Sequence, residues 1–217
     1  MSEQRVTVVD YGIGNLYSVQ RAFETSGAAV QLTSDPSDIE VAECLILPGV
    51  GAFSDGMAGL RERGLIEPLR RYARSGRPLV GICLGMQMLA SVSEEFGEHE
   101  GLGVIPGRVV PIPVDTTQGG RHKIPRVGWS ALEIADGASW QGTPLADTTP
   151  GTAVYLVHSY HVVADDPSHL LAYGEYGGHR LSAAIRAGNV FGFQFHPERS
   201  GLEGLRILRA LLSIAAR

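Results

Sequence analysis

Cys83 lies between two glycines in Gly81-Ile82-Cys83-Leu84-Gly85, directly after the apolar run Pro78-Leu79-Val80 and just before a helical stretch from Met86 to Ala90. This is the cysteine form of the nucleophile elbow, G-x-nucleophile-x-G, in which a strand turns abruptly into a helix. So tight a turn strains the backbone at the nucleophile, and flanking glycines remove side chains that would clash. The sulfur then stands at a helix N-terminus, whose partial positive charge favours the thiolate. The backbone N–H of Leu84 is expected to be free to face a developing oxyanion. Cys44 is the contrast: it sits in the apolar run Cys44-Leu45-Ile46-Leu47, has no glycine elbow, and reads as core.

A cysteine nucleophile needs a base, and the base needs an acceptor that fixes its tautomer and stabilises its charged form. The segment Phe191-Gly192-Phe193-Gln194-Phe195-His196-Pro197-Glu198 offers both. Strand alternation puts His196 and Glu198 on one face at a strand end, and Pro197, with no N–H to donate, suits the point where a ladder stops. Either residue alone would be an ordinary solvated strand end. Cys83, His196 and Glu198 together are much harder to obtain by chance. The turn Leu47-Pro48-Gly49-Val50-Gly51-Ala52-Phe53 follows another apolar strand. Ends of neighbouring parallel strands meet at the edge where α/β proteins bind ligands, so the Val50–Gly51 backbone is the expected second oxyanion donor. Gln87 falls one helical turn beyond Cys83 on the same face.

These residues require strands that end together at one edge of a sheet. Val6–Val9, Ala29–Leu32, Cys44–Leu47 and Pro78–Ile82 read as strands. Helical spacing follows over Leu16–Ser26, from Ser54 and Asp55 as caps to Glu62, and over Ile66–Arg74. Continuous apolar strands separated by helices predict a parallel sheet covered on both faces. Beyond Gly97 the segments 104–114, 126–134, 153–157 and 182–195 read as strands joined by Pro- and Gly-rich turns, before a last helix over Leu202–Ala216. The expectation is one α/β domain over residues 1–217, a mostly parallel central sheet flanked by helices, with antiparallel strands added to, or folded over, one edge.

Composition narrows the partners. The 217 residues carry a net charge of −5 and no long basic run, which disfavours nucleic acid. Two cysteines make neither a disulfide framework nor a zinc signature. No stretch approaches the roughly 18 consecutive apolar residues of a membrane span, and Met1-Ser2-Glu3-Gln4-Arg5 does not have a signal-peptide layout. A reduced, cytoplasmic protein without metal or cofactor is expected. Gly12-Ile13-Gly14-Asn15-Leu16-Tyr17 follows a strand as a dinucleotide site would, but Tyr17 occupies the position that needs Gly or Ala. His158 and His161 have no Cys or carboxylate neighbour to complete a ligand set and read as structural. Arg121-His122-Lys123 reads as a solvated loop.

The elbow Gly81–Gln87 and the His196-Pro197-Glu198 ending resemble the class I, triad-type glutamine amidotransferases. Three further segments, Asp10-Tyr11-Gly12-Ile13-Gly14-Asn15, Pro48-Gly49-Val50-Gly51 and Pro125-Arg126-Val127-Gly128-Trp129, make the chain similar to the glutaminase subunits of imidazole glycerol phosphate synthase, from about residue 5 to 214. The resemblance implies the fold of that class and glutamine hydrolysis by Cys83, His196 and Glu198, with Leu84, Val50 and Gly51 around the oxyanion. It implies that Gly49, Gln87 and the backbone of His158-Ser159-Tyr160 hold glutamine, and that a (β/α)₈-barrel cyclase subunit consumes the ammonia. Asn15, after a Gly-rich strand end, and Trp129, as an exposed anchor, are expected to face that subunit near the active-site mouth, the alternative being a helix-capping Asn15 and a core Trp129. The resemblance also implies activation by that partner's ligand; glycines on both sides of Val50 make Pro48-Gly49-Val50-Gly51 the expected switch, the alternative being a static turn whose glycines serve tight packing. Sister glutaminases serving anthranilate or aminodeoxychorismate synthesis share the elbow and the His-Pro-Glu ending, but not the Tyr-Gly-x-Gly-Asn start or Gly128-Trp129. Arg126 and Ser130 stand where His and Asn are common in the family, a departure that bears on the partner surface.

Overall fold

The computed structural model describes residues 4–216; Met1–Glu3, which open the segment expected to lack a signal-peptide layout, and Arg217 lie outside the described residues. The first part of the chain alternates strand and helix, as expected apart from α2: β1 (Gln4–Val9), α1 (Leu16–Thr25), β2 (Ala28–Thr33), α2 (Pro36–Val41), β3 (Leu45–Leu47), α3 (Phe53–Glu62), α4 (Ile66–Ala73), β4 (Leu79–Ile82) and α5 (Leu84–Met88). Then come β5 (Val92–Ser93), β6 (His99–Glu100), β7 (Gly107–Pro111), β8 (Arg126–Ala131), β9 (Glu133–Ile134), β10 (Ala153–His158) and β11 (Tyr160–Ala164). The chain closes with β12 (Leu170–Tyr176), β13 (His179–Ala187), β14 (Val190–Phe193) and α6 (Gly201–Ala215).

The main sheet runs β2-β1-β3-β4-β14-β13-β12-β9. Its first five strands are parallel, and β13, β12 and β9 extend it in antiparallel fashion. Side chains alternate between two cores. Val6, Val8, Ile46, Val80, Ile82, Phe191 and Phe193 face one, with α1 and α6; Val9, Leu45, Leu47, Leu79 and Val190 face the other, with α3, α4 and α5. Burial on both faces is why these strands read as unbroken apolar runs. A two-stranded ribbon (β8, β10) and a small sheet in the order β11-β7-β5-β6 make up the remaining strands.

Glycines let α5 sit directly on the sheet. Gly81 of β4 and Gly192 of β14 are register partners. A Cβ on Gly81 would press on the Gly85 backbone, one on Gly192 would lie 2.6 Å from Met86 Cγ, and one on Gly85 would overlap the Leu47 carbonyl oxygen. The helix therefore begins immediately at Leu84, two residues earlier than its apolar spacing suggests.

Other differences have local reasons. The expected 182–195 strand is the hairpin β13–β14, reversed at Gly188-Asn189, a turn dipeptide within the apolar run. Segment 126–134 divides around Leu132 into strands of two different sheets, and 104–114 contracts to β7. The helix α2 and the strands β5, β6, β11 and β12 were not anticipated. Ser54 and Asp55 lie inside α3 rather than capping it: the cap position is Ala52, and the first helical N–H, that of Phe53, donates to the Glu95 carboxylate at 2.6 Å. A partner 42 residues away replaces the local cap.

Among the described residues no helix is long and apolar enough to cross a membrane. Gly85→Ala is expected to cost about 3 kcal/mol or more of stability, because the contact it violates is with backbone that cannot swing aside; urea unfolding of the purified variant measures this.

Candidate active site

Cys83 adopts φ +55° and ψ −110°, a conformation that costs a non-glycine residue roughly 1–3 kcal/mol. The strain persists because the residue is held on both sides. Its N–H donates to the Phe193 carbonyl at 2.7 Å, and α5 is seated on the glycines of the sheet. The thiol is nearly buried, with Sγ 3.9 Å from the Val157 carbonyl oxygen and 3.7 Å from Nε2 of Gln194.

His196 and Glu198 do meet, though not by strand alternation. β14 ends at Phe193, and His196 caps a single 3₁₀ turn, Pro197–Arg199. Across that turn His196 Nδ1 lies 2.8 Å from Glu198 Oε1, with the two side chains only 4% and 2% exposed. Strand β10 clamps the turn: the His196 N–H donates to the Tyr155 carbonyl (2.9 Å), the Ser200 hydroxyl donates to the His196 carbonyl (2.7 Å), and the Tyr155 N–H donates to Ser200 Oγ (3.0 Å). The other ring nitrogen, Nε2, is buried without a hydrogen-bond partner, and the ring lines the same cavity as Cys83. Burial of the imidazole opposes its charge, but the Cys83 and Glu198 side chains outweigh it and push its pKa up to about 10. His158 lines the cavity too. Burial pushes its pKa down to about 4, and its Nδ1–H donates to the Tyr160 carbonyl (2.9 Å). One histidine next to the thiol is thus charged and carboxylate-held, the other neutral and backbone-held.

The cavity between them is about 190 Å³ and is also lined by Val50, Gly51, Gln87 and Glu95. A cleft of about 420 Å³ near Arg70, Arg74 and Val190 lies at the amino-terminal edge of the parallel strands and holds none of this chemistry.

Two expectations are corrected at the turn after β3. The Leu84 N–H is not free: it donates to the Gly49 carbonyl oxygen at 3.3 Å. That carbonyl and the Val50 N–H belong to one planar peptide and point in opposite directions, so the Val50 N–H is turned away from the place an oxyanion would take. The ends of the turn differ in freedom. The buried Tyr11 hydroxyl donates to the Pro48 carbonyl (2.8 Å), and a Cβ on Gly49 would run into that hydroxyl and lie 2.9 Å from Leu84 Cβ. Val50 is 39% exposed, and Gly51, at φ +99°, has open space around it.

The 158–160 backbone is partly committed elsewhere. Gln87 Nε2 donates to the Tyr160 carbonyl (3.1 Å), and the Ile112 N–H donates to that of Ser159 (2.9 Å). Asn15 is exposed and caps α1, accepting from the Ser18 N–H at 3.4 Å. Trp129 is 59% exposed on β8, edge-on to Tyr155. Arg126, however, is buried, donating to the Glu175 carbonyl (3.0 Å) with its guanidinium over the Tyr176 ring, so it belongs to the packing behind this surface. The Arg121-His122-Lys123 loop is not simply solvated, since His122 stacks on Tyr176. Tyr11, Glu95 and Gln194 were missed. For Gln194 alone the sequence carried a signal, a polar side chain inside an otherwise apolar strand end.

The chain matches the family described as glutamine amidotransferase class-I over residues 7–213. It is 49% identical over 210 residues to the imidazole glycerol phosphate synthase subunit HisH 1 of Legionella pneumophila (strain Lens), covering 96% of this chain and 99% of the relative. The chain belongs to the class-I glutamine amidotransferases, in their HisH family. A second HisH relative, from Syntrophotalea carbinolica, is 47% identical over 94% of this chain and 97% of its own. The fold is shared more widely: PurLQS from Thermotoga maritima superposes with a TM-score of 0.74 at 21% identity, covering 97% and 98% of the two chains. A crystal structure of another glutamine amidotransferase gives 0.67 at 23%, covering 97% and 99%.

For this HisH-family chain, the His196 charge has a defined pH window. Its folded-state pKa lies above the ordinary value of 6.5, so the stability it contributes is complete below about pH 6.5 and is lost as pH rises through about 10. NMR titration of the His196 ring is expected to show protonation persisting through neutral pH, with the midpoint moving down in Glu198→Gln.

Proposed function

We propose that the chain hydrolyses glutamine to glutamate and ammonia on Cys83, His196 and Glu198, as the glutaminase subunit of an imidazole glycerol phosphate synthase. The Cys83 thiolate attacks the side-chain carboxamide carbon. The His196 imidazolium protonates the departing nitrogen, which leaves as ammonia, and a thioester remains on sulfur. Neutral His196 then takes a proton from water as it attacks the thioester, and glutamate leaves with the thiolate restored. Glu198 keeps the ring oriented and stabilises its charge throughout. The observation that carries this reading is the buried, carboxylate-bound His196 facing the elbow cysteine. Gln87 and the half-buried carboxylate of Glu95, both in the cavity wall, suit the polar α-substituents of the substrate.

The ammonia is passed to a cyclase subunit that makes imidazole glycerol phosphate and aminoimidazole carboxamide ribonucleotide. Support for that partner comes from the named relatives and from an indole left on the surface, since exposed aromatic side chains of this kind anchor interfaces. The turn Pro48-Gly49-Val50-Gly51 is the control point. Rotation of the Gly49–Val50 peptide would withdraw the carbonyl from the Leu84 N–H and swing the Val50 N–H into the same space. Both donors would then become available together. Lacking one such donor costs about 10²–10³ in rate, so the arrangement with Leu84 engaged is a resting state that partner binding relieves.

Cys83→Ala is expected to abolish glutamine-dependent synthesis while the complex still works with added ammonium salt. Loss of both activities would mean that Cys83 serves folding or assembly. Steady-state glutamine hydrolysis by the isolated chain, by the complex, and by the complex with cyclase substrate is expected to rise in that order by about 10²-fold or more overall. Equal rates would remove the switch while leaving the triad standing.

A further inference from the structure

One polar side chain beside the nucleophile has no part in the steps above. Gln194 follows β14 directly and is completely buried. A primary amide withdrawn from water is tolerated only where its hydrogen bonds are made. Those of Gln194 run to the site itself. Its Oε1 accepts from Gln87 Nε2 at 3.0 Å, and its Nε2 donates to Cys83 Sγ at 3.7 Å. Its backbone N–H is tied to the Ala183 carbonyl of β13 at 2.9 Å, so the side chain springs from a fixed point.

The direction of every amide in this chain follows from one group. The Tyr160 carbonyl can only accept, so the Gln87 nitrogen must face it (3.1 Å). The second N–H of Gln87 then goes to Gln194 Oε1, which turns the Gln194 nitrogen toward sulfur. With both Gln87 N–H groups spent, what Gln87 presents to the cavity is its carbonyl oxygen, an acceptor. Without Gln194 the Tyr160 carbonyl still sets which end of the Gln87 amide faces it, but one of the two hydrogen bonds that fix the amide in place is lost.

We propose that Gln194 is a positioning residue of this glutaminase, holding Gln87 with its acceptor toward the substrate while donating a hydrogen bond to the Cys83 sulfur. The proposal rests on the reading of Cys83 and Gln87 as glutaminase residues. A donor N–H on sulfur strengthens as negative charge gathers there. An acceptor at the cavity wall matches an ammonium group such as the α-amino group of glutamine. One buried amide thereby sets the nucleophile and the substrate contact in the same register.

Two variants separate the two contacts. Gln194→Glu keeps an oxygen for Gln87 but sets a carboxyl group against the sulfur. Gln194→Leu removes both contacts. In the complex with the cyclase subunit, Gln194→Glu is expected to lower kcat for glutamine by about 10-fold or more with KM near that of the parent. Gln194→Leu is expected to lower kcat similarly and also raise KM about 10-fold, as Gln87 keeps only one of the two hydrogen bonds that hold it. Ammonium-dependent synthesis and the melting temperature serve as controls for assembly and folding. If Gln194→Leu fails to fold, Gln194→Glu decides through its split between kcat and KM. Parent-like kcat and KM in the variants that fold would overturn the proposal, as would a Gln194→Leu defect confined to kcat. Failure of the underlying reading looks different: the parent complex would show no glutamine-dependent activity, or Cys83→Ala would retain it.

Discussion

Everything in this site follows from how closely a short helix approaches the sheet beneath it. The helix of the elbow rests on backbone at Gly81, Gly85 and Gly192, and where Gly85 meets the Leu47 carbonyl there is no room even for a methyl group. That closeness forces the chain to turn within one residue of the strand end, and the residue at the turn is Cys83 at φ +55°. The strain is sustained by packing on both faces of the sheet, where Val80, Ile82, Phe191 and Phe193 are buried on one side and Leu47, Leu79 and Met86 on the other. A looser junction would relax the turn and let the sulfur retreat into the core.

The second requirement is a histidine held in one tautomer and kept charged. Two histidines border the cavity, and burial acts against the charge of both. What separates them is that His196 has the Cys83 and Glu198 side chains beside it. Glu198 gives His196 a negative partner in a space closed to water, where charges interact strongly. The Tyr160 carbonyl gives His158 an acceptor without a charge, too little to offset the desolvation. Strand β10 contributes to both sides of the arrangement, since Tyr155 clamps the turn that carries His196 and its ring packs against the exposed Trp129.

The turn after β3 is held unevenly along its length. It is pinned at one end by the Tyr11 hydroxyl and left in open space at Gly51. The Gly49 carbonyl satisfies the Leu84 N–H in the arrangement seen here. An unoccupied donor in so buried a place would be costly, and that carbonyl supplies its acceptor.

The sequence by itself determined the parts whose signals are local. The parallel strands were legible because burial on two faces leaves continuous apolar runs, and the elbow because its glycines and cysteine are adjacent in the chain. Cys83, His196 and Glu198 were legible as residue types that need one another. What only the tertiary structure decided were contacts between segments far apart in the chain. The Glu95 carboxylate that closes α3, the Gly49 carbonyl on the Leu84 N–H, the Tyr11 hydroxyl on Pro48, and Gln194 between Cys83 and Gln87 are all of this kind. Even the His196–Glu198 pair, close in sequence, meets through a 3₁₀ turn fixed by Tyr155 rather than through strand alternation. Hydrogen bonds depend on where atoms lie in space, and only the packing of α5 on the sheet and of β10 against the end of β14 brings these atoms within reach.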